Sequence, residues 1–187
     1  MAVKAILKYL RRTKDLVLTY RGGDLQLTGF TDSDFQSDVD DRKSISGFVF
    51  TCNGGAASWK SSKQSITVDS TTKAEYIATS DAAKEAVWIK KFITELRIIP
   101  YIESLIPLYC ENNGATTLAK EPRSHQKSKH IERRFHIIRE LIGKGDIVMQ
   151  KIASADNVDD PLTKALTQLQ LDRNLEKMGL RYCSDWL

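Results

Sequence analysis

The chain has 187 residues, of which 41% are hydrophobic and 28% charged, and its formal net charge is +4. This length and composition are typical of one globular domain and exclude disordered, collagen-like and membrane-embedded proteins. The first residues lack the apolar core of a signal peptide, so we expect an intracellular protein that is not secreted. The cysteines Cys52, Cys110 and Cys183 form no CxxC pair, which favours reduced thiols over a zinc knuckle.

The first half of the chain alternates short apolar segments with turns rich in Gly and Asp. Hydrophobic periodicity predicts a helix over residues 2–12, strands over 16–20, 25–31, 47–51 and 56–60, and a long helix over 72–96. Because Asn53-Gly54-Gly55 is a tight-turn sequence, the strands on either side of it are expected to pair as an antiparallel hairpin.

The second half contains more helices than strands. Periodicity predicts strands over 105–110 and 147–152, helices over 113–120, 130–142 and 161–166, and only a weak helical pattern from residue 167. A run of strands followed by alternating helices and strands predicts an α/β fold. We expect a mixed five-stranded central sheet flanked by helices.

Positive charge is concentrated between residues 120 and 151. This stretch has nine basic residues against four acidic ones and holds all three histidines. Such clustering is typical of a surface that contacts phosphates, although a solvated helix face gives the same pattern. Together with two lysines near Trp59, it supplies the candidate nucleic-acid-binding residues, which are Lys60, Lys63, Arg123, Lys127, Lys129, His130, Arg133 and Arg134.

Four acidic residues stand at the ends of predicted elements: Asp32, Glu75, Glu111 and Asp160. Phosphodiester hydrolysis by two metal ions needs several carboxylates at one point, because hard cations prefer oxygen ligands. Taken singly, each acid has a structural explanation. Asp32 and Glu111 can be polar residues at the transition from a strand to a turn. Helix capping or the helix dipole accounts for Glu75 and Asp160. Asp34 lies on the strand face of Asp32 and is either an auxiliary site residue or an exposed turn acid.

Eight segments, found in the same order in a known family, indicate that the four acids belong to one site. They are GFTDSDF at 29–35, DRKSISGFVF at 41–50, SWKSSKQ at 58–64, STTKAEYIA at 70–78, LYCENN at 108–113, SKHI at 128–131, FHIIRE at 135–140 and DPLTK at 160–164. In this order they resemble the ribonuclease H domain of copia-type LTR retrotransposon Pol polyproteins, particularly those of plants. The first twenty residues resemble the end of the reverse transcriptase that precedes this domain.

The resemblance implies a division of the chain. Residues 1–20 would be a remnant of the reverse transcriptase end or connection, 21–166 a ribonuclease H-like domain, and 167–187 a weakly helical tail. It implies two partners, an RNA/DNA hybrid and the reverse transcriptase domain of the same polyprotein, and no membrane. The expected location is a cytoplasmic virus-like particle or the nucleus.

The resemblance also implies the chemistry. The chain would be a metal-dependent endoribonuclease that hydrolyses the RNA strand of RNA/DNA hybrids and leaves 5′-phosphate and 3′-hydroxyl ends. Two Mg²⁺ ions, with Mn²⁺ as a substitute, would be held by Asp32, Glu75, Glu111 and Asp160. Asp160 is preferred to the adjacent Asp159 on the register of its motif.

Two departures from the family pattern leave an alternative open. The family usually has Asp where this chain has Glu111, and the extra methylene predicts a rate lower by an order of magnitude or more. The loop over 153–159 lacks the histidine that many ribonucleases H carry before the last acid. A catalytically weak or domesticated hybrid-binding module is therefore the alternative. A structural extension of a polymerase, with residues 2–20 as its interface, is a third hypothesis.

Overall fold

The computed structural model describes residues 2–23, 25–97, 105–120 and 129–183, with the backbone alone for 129–135. The helices are α1 (Ala2–Arg12), α2 (Thr71–Glu95), α3 (Asn113–Lys120), α4 (Lys129–Gly143), α5 (Asp160–Thr163) and α6 (Gln168–Lys177). The strands are β1 (Leu16–Leu18), β2 (Leu27–Asp34), β3 (Ile45–Cys52), β4 (Gly55–Lys63), β5 (Ile106–Cys110), β6 (Ile147–Lys151) and β7 (Leu180–Tyr182). Among the described residues no helix is long and apolar enough to span a bilayer.

Five of the strands form one mixed sheet, in the order β4-β3-β2-β5-β6. The pairs β2–β3 and β3–β4 are antiparallel, whereas β2–β5 and β5–β6 are parallel. The predicted α/β class and five-stranded mixed sheet are therefore confirmed. Strand β2 extends three residues beyond its predicted end, because its last residue, Asp34, still pairs with Ile45 of β3.

Both faces of the sheet are covered. On one face, α2 packs through small residues, since Ala82, Ala83 and Ala86 are fully buried in the larger hydrophobic cluster. On the other face, Val49 of β3 packs with Val158 and other apolar side chains of a second cluster. Consequently six consecutive residues of β3 are buried, as expected for a strand covered on both sides.

The C-terminal tail forms a helix and a strand that pack against the sheet. Helix α6 starts with a capping box between Thr167 and Gln170. After it, the Ala56 N–H donates to the Met178 carbonyl at 2.8 Å, and β7 pairs with β1 near the start of the chain. The sequence predicted only weak helix here. Strand β7 has three residues, too few for a periodic pattern, and it depends on contacts with distant parts of the chain.

These contacts make the stability of the fold depend on the tail. Met178 is 7% exposed and belongs to the second hydrophobic cluster. We expect Met178→Ala to lower the free energy of unfolding by about 2–4 kcal/mol, because it removes buried methylenes and leaves a cavity.

The matched control is Leu169→Ala in the neighbouring helix α6, where the leucine is 62% exposed. It should change the free energy of unfolding by no more than about 0.5 kcal/mol. Urea denaturation measures both variants. Equal stability of Met178→Ala and the wild type would show that the tail is not part of the folded unit.

Candidate metal centre

Three carboxylates from separate elements meet at the end of the sheet where the carboxyl ends of the inner strands β2 and β5 lie. Strands β2 and β5 are parallel, and Thr31 pairs with Cys110. The next residues therefore lie side by side, with Asp32 near the carboxyl end of β2 and Glu111 directly after β5. Asp160 joins them from the start of α5, so that one oxygen from each of the three side chains lies within 4.8 Å of the others.

The donor set is suited to a divalent cation. Asp32 is 3% exposed and Asp160 is 9% exposed, so solvent solvates these charges poorly. The Glu111 Oε1 atom is buried and accepts no hydrogen bond from the described residues. Converging carboxylate oxygens are the ligands that Mg²⁺ and Mn²⁺ prefer.

Glu75 lies behind these three acids. Its Oε1 atom accepts a hydrogen bond from the Ser33 N–H at 3.2 Å, and the Cys110 thiol lies 3.7 Å from its Oε2 atom. Burial, and then the negative charge of Asp32, raise the pKa of Glu75 to about 8. Helix α2 is capped by Ser70 and has no acid in its first turn, so Glu75 does not cap it.

Helix α5 brings a hydroxyl and an ammonium group to the same acids. The Thr163 hydroxyl donates to Asp32 Oδ2. The Lys164 Nζ atom lies 3.4 Å from Asp32 Oδ2 and 2.9 Å from Asp160 Oδ1. Burial raises the pKa of Asp160 to about 6, although Lys164 acts in the opposite direction. Burial alone would lower the pKa of Lys164, but Asp160 and Asp32 raise it above its usual value.

The capping explanation for Asp160 does not describe this turn. Asp160 is the first residue of α5, and the capping position is held by Asp159, whose side chain makes no capping hydrogen bond. The side chain of Asp160 instead faces Asp32 and Glu111, whereas that of Asp159 faces β3.

Asp159 is fully buried against the sheet. A Cβ atom at Gly47 would lie only 2.5 Å from Asp159 Oδ2, so the carboxyl group occupies the space that glycine leaves on β3. Neither of its oxygens has a well-aligned hydrogen bond within the described structure. Burial, and then the charge of Asp32, raise the pKa of Asp159 well above its usual value.

Asn157 fixes the loop that carries these acids. Its side-chain amide donates to the Thr31 carbonyl at 3.3 Å, and its Oδ1 atom accepts from the Asp159 N–H at 3.3 Å. Asn157 is fully buried. The loop over 153–159, in which the sequence has no histidine, is thus tied to β2 through an asparagine.

The candidate nucleic-acid-binding residues are only partly described. Lys60 is exposed on the edge strand β4. Lys63 forms ion pairs with Asp38 and, at 3.3 Å, with Asp41 in the loop between β2 and β3. Its ammonium group holds the pKa of Asp38 below the usual value.

The other candidates lie in or beside α4. Arg123 and Lys127 fall outside the described residues. Lys129, His130, Arg133 and Arg134 belong to α4, where only their backbone is described. The auxiliary candidate Asp34 is half-buried at the end of β2 and is not one of the three converging carboxylates.

Sequence reasoning missed several residues around the acids. Thr163 and Lys164 belong to the DPLTK segment, in which the sequence analysis predicts Asp160 alone as a site residue. The spacing of four between Asp160 and Lys164 was a usable signal, since residues four apart on a helix share a face. Cys110 and Asn157 gave no such signal, because their contacts with Glu75 and Thr31 join distant parts of the chain.

The buried Asp159 predicts a pH-dependent stability. A carboxyl group whose pKa is raised by folding stabilises the fold fully only below its unfolded pKa, and this contribution is lost as the pH rises through the folded pKa. In the presence of chelator we therefore expect Asp159→Asn to be more stable than the wild type at pH 8, by about 1–3 kcal/mol. The difference should shrink towards pH 4.

Asp40→Asn is the control, because it removes one charge from an exposed side chain in the loop before β3. Thermal melts at pH 4, 6 and 8 compare the three proteins. A stability of Asp159→Asn equal to or below that of the wild type at pH 8 would contradict our inference that the buried carboxyl group of Asp159 destabilises the fold at this pH.

Comparison with known proteins identifies relatives of the whole chain. No family model matches it. The retrovirus-related Pol polyprotein from transposon TNT 1-94 of Nicotiana tabacum is 39% identical over 179 residues, which is 96% of this chain and 13% of the polyprotein. The chain thus spans a small part of the length of this curated relative.

Two solved structures share the fold. Ribonuclease H1 from the archaeon Halobacterium salinarum gives a TM-score of 0.52 at 17% identity, covering 79% of this chain and 98% of that one. LC11-RNase H1, solved in complex with an RNA/DNA hybrid, gives a TM-score of 0.52 at 15% identity, covering 74% and 94%. Both the predicted family and the predicted fold are thereby confirmed. The chain is a relative of the retrovirus-related Pol polyproteins of plant transposons over nearly its whole length, and it has the ribonuclease H fold.

Proposed function

We propose that this chain is a metal-dependent endoribonuclease that cuts the RNA strand of RNA/DNA hybrids. The observation that carries the proposal is the convergence of Asp32, Glu111 and Asp160 within 4.8 Å at this end of the sheet. Carboxylates from different elements rarely approach so closely unless cations accompany them, because their charges repel, and Lys164 supplies a single positive charge to the three acids.

The comparisons support the choice of substrate. A protein with this fold, LC11-RNase H1, was solved in complex with an RNA/DNA hybrid. The relatives are retrovirus-related Pol polyproteins from transposons, and we assign the hybrid to reverse transcription by such a polyprotein. We place the activity within that process, in a virus-like particle or the nucleus.

We assign metal binding to Asp32, Glu111 and Asp160, with Glu75 as a fourth ligand of a pair of Mg²⁺ or Mn²⁺ ions. When bound, such ions would activate a water nucleophile and stabilise the leaving 3′-oxygen, so that the products would carry 5′-phosphate and 3′-hydroxyl ends. The protein's own part is to hold the carboxylates in place. The Ser33 N–H fixes one oxygen of Glu75, and the Thr163 hydroxyl fixes one oxygen of Asp32.

We assign substrate contacts to the basic residues that the sequence predicts for nucleic-acid binding. Lys60 is exposed on β4 and is free of ion pairs within the described structure, so it is available to a phosphate. Lys63 first has to leave Asp38 and Asp41, and its contribution should be smaller. The basic side chains predicted in and before α4 complete the proposed surface, with Asp34 as an auxiliary acid.

The reverse transcriptase segment of the same polyprotein is the proposed protein partner. Helix α1 has no buried residue, and its apolar side chains Val3, Ile6, Leu7 and Leu10 are 55–70% exposed. An amphipathic helix with an uncovered apolar face is typical of a segment that packs against another domain.

The nuclease activity is tested with a labelled RNA/DNA hybrid. Asp32→Asn should lower the rate of RNA-strand cleavage by at least about a hundredfold in Mg²⁺ or Mn²⁺, because it removes a charged ligand from the centre of the cluster. The matched control, Asp172→Asn on the exposed face of α6, should leave the rate unchanged.

Binding of the hybrid is measured in parallel. A folded wild-type protein that binds the hybrid but leaves both strands intact in either metal would contradict the nuclease and favour the hybrid-binding module. Cleavage of the DNA strand would contradict the assigned substrate.

Glu111 provides a second test. The sequence predicted that its extra methylene slows the reaction, yet its carboxylate reaches the oxygens of Asp32 and Asp160. We therefore expect Glu111→Asp to withdraw the carboxylate, weaken Mn²⁺ binding by about tenfold and lower the cleavage rate.

Glu140→Asp is the matched control, since Glu140 is exposed and pairs with Lys144 outside the cluster. Calorimetry measures the Mn²⁺ affinity of both variants. A faster reaction in Glu111→Asp would support the sequence-based expectation and show that the observed position of Glu111 is not the productive one.

A further inference from the structure

Lys164 holds its ammonium group among the carboxylates assigned to the metal. Its Nζ atom is 2.9 Å from Asp160 Oδ1 and 3.4 Å from Asp32 Oδ2. The lysine side chain is 34% exposed, whereas that of Asp32 is 4% exposed. The charged end of Lys164 therefore lies in a site that is otherwise formed by buried and half-buried acids.

The short helix α5 sets this position. Asp160 and Lys164 are four residues apart, and the Lys164 N–H donates to the Asp160 carbonyl at 3.1 Å. Between them, Thr163 donates its hydroxyl to Asp32 and so ties the end of the helix to β2. The turn that supplies one acid of the cluster thus also supplies its cation.

Such a cation stabilises those acids that are charged when no metal is bound. Within the described structure, Lys164 is the basic side chain that forms ion pairs with the cluster, although Asp32, Glu75, Glu111, Asp159 and Asp160 all lie in or beside it. Like charges at this separation repel strongly where water is excluded. The ammonium group offsets part of that repulsion.

A divalent ion would need the same carboxylates. Mg²⁺ binds oxygen at about 2.0–2.1 Å, so an ion held by Asp32 and Asp160 would lie within a few ångströms of the present ammonium position. The ion and the ammonium group would repel each other and compete for the same carboxylate oxygens, so binding of the ion favours withdrawal of the lysine.

We propose that Lys164 is a built-in counter-cation, which stabilises the cluster in the metal-free protein and is displaced when a divalent ion binds. The displacement rests on the proposed metal-dependent function, whereas the stabilisation does not. By competing for Asp32 and Asp160, Lys164 raises the metal concentration that the protein requires.

The first measurement is the Tm in the presence of chelator. Lys164→Met should lower it by about 2–4 °C, and Lys164→Arg, which keeps the charge, should retain most of the wild-type value. The matched control is Lys177→Met. The Lys177 side chain is 37% exposed and its ammonium lies 3.1 Å from Asp156, outside the cluster, so its loss should have little effect.

The second measurement is the rise in Tm with added Mn²⁺ or Mg²⁺. The metal concentration that gives half of the maximal rise should fall at least about threefold in Lys164→Met, because the competing cation is gone. It should be unchanged in Lys177→Met.

Three results would overturn the proposal. An unchanged Tm in chelator would refute the counter-cation. A weaker metal response in Lys164→Met would show that the lysine assists binding rather than competes with it. If neither the wild type nor any variant responds to metal, the proposed function fails and the displacement fails with it, while the melts in chelator still decide whether Lys164 stabilises the acids.

Discussion

The mutual repulsion of buried carboxylates is the constraint on which the rest of this structure depends. Asp32, Glu111 and Asp160 converge at one end of the sheet, and Glu75 and Asp159 lie directly behind them. Burial raises the pKa of Glu75, Asp159 and Asp160, which means that the fold opposes their ionisation. A protein keeps such an arrangement only where other interactions compensate for its cost.

The compensation comes from a few donors, each placed by backbone geometry. The Ser33 N–H and the Cys110 thiol face the two oxygens of Glu75. Burial raises the pKa of Cys110 to about 12, and the charge of Glu75 adds to this effect, so the thiol keeps its proton and can donate it. On the other side of the cluster, Thr163 and Lys164 supply a hydroxyl and an ammonium group to Asp32.

The surrounding fold resists the remaining repulsion. Strand β2 is the middle strand of the five and is paired on both sides up to Thr31, and Asp32 itself pairs with Gly47 of β3. Asn157 ties the loop before α5 to the Thr31 carbonyl. The tail then covers the adjacent face of the sheet through Met178, which links the distant C-terminal segment to the stability of the site.

Much of this scaffold could be predicted from the sequence, because it follows local patterns. The Asn53-Gly54-Gly55 turn and the alternation around it predicted the β3–β4 hairpin, and the 3.6-residue period predicted α2 within one residue at each end. Strand β7 and the position of Glu75 were not predictable in this way. Both depend on partners far along the chain, β1 for the strand and Ser33 and Cys110 for the glutamate.

The adjacent residues Asp159 and Asp160 show why residue type alone does not define the site. Successive residues at the start of a helix point about 100° apart, so the two identical side chains diverge. Asp160 turns towards Asp32 and Glu111, whereas Asp159 turns into the sheet, where only a glycine at position 47 leaves room for it. A cation at the cluster would therefore act directly on Asp160, which is one of the three converging carboxylates. Asp160 thus affects both the affinity for a cation and, through Lys164, the stability of the metal-free fold, whereas Asp159 affects that stability through its own burial.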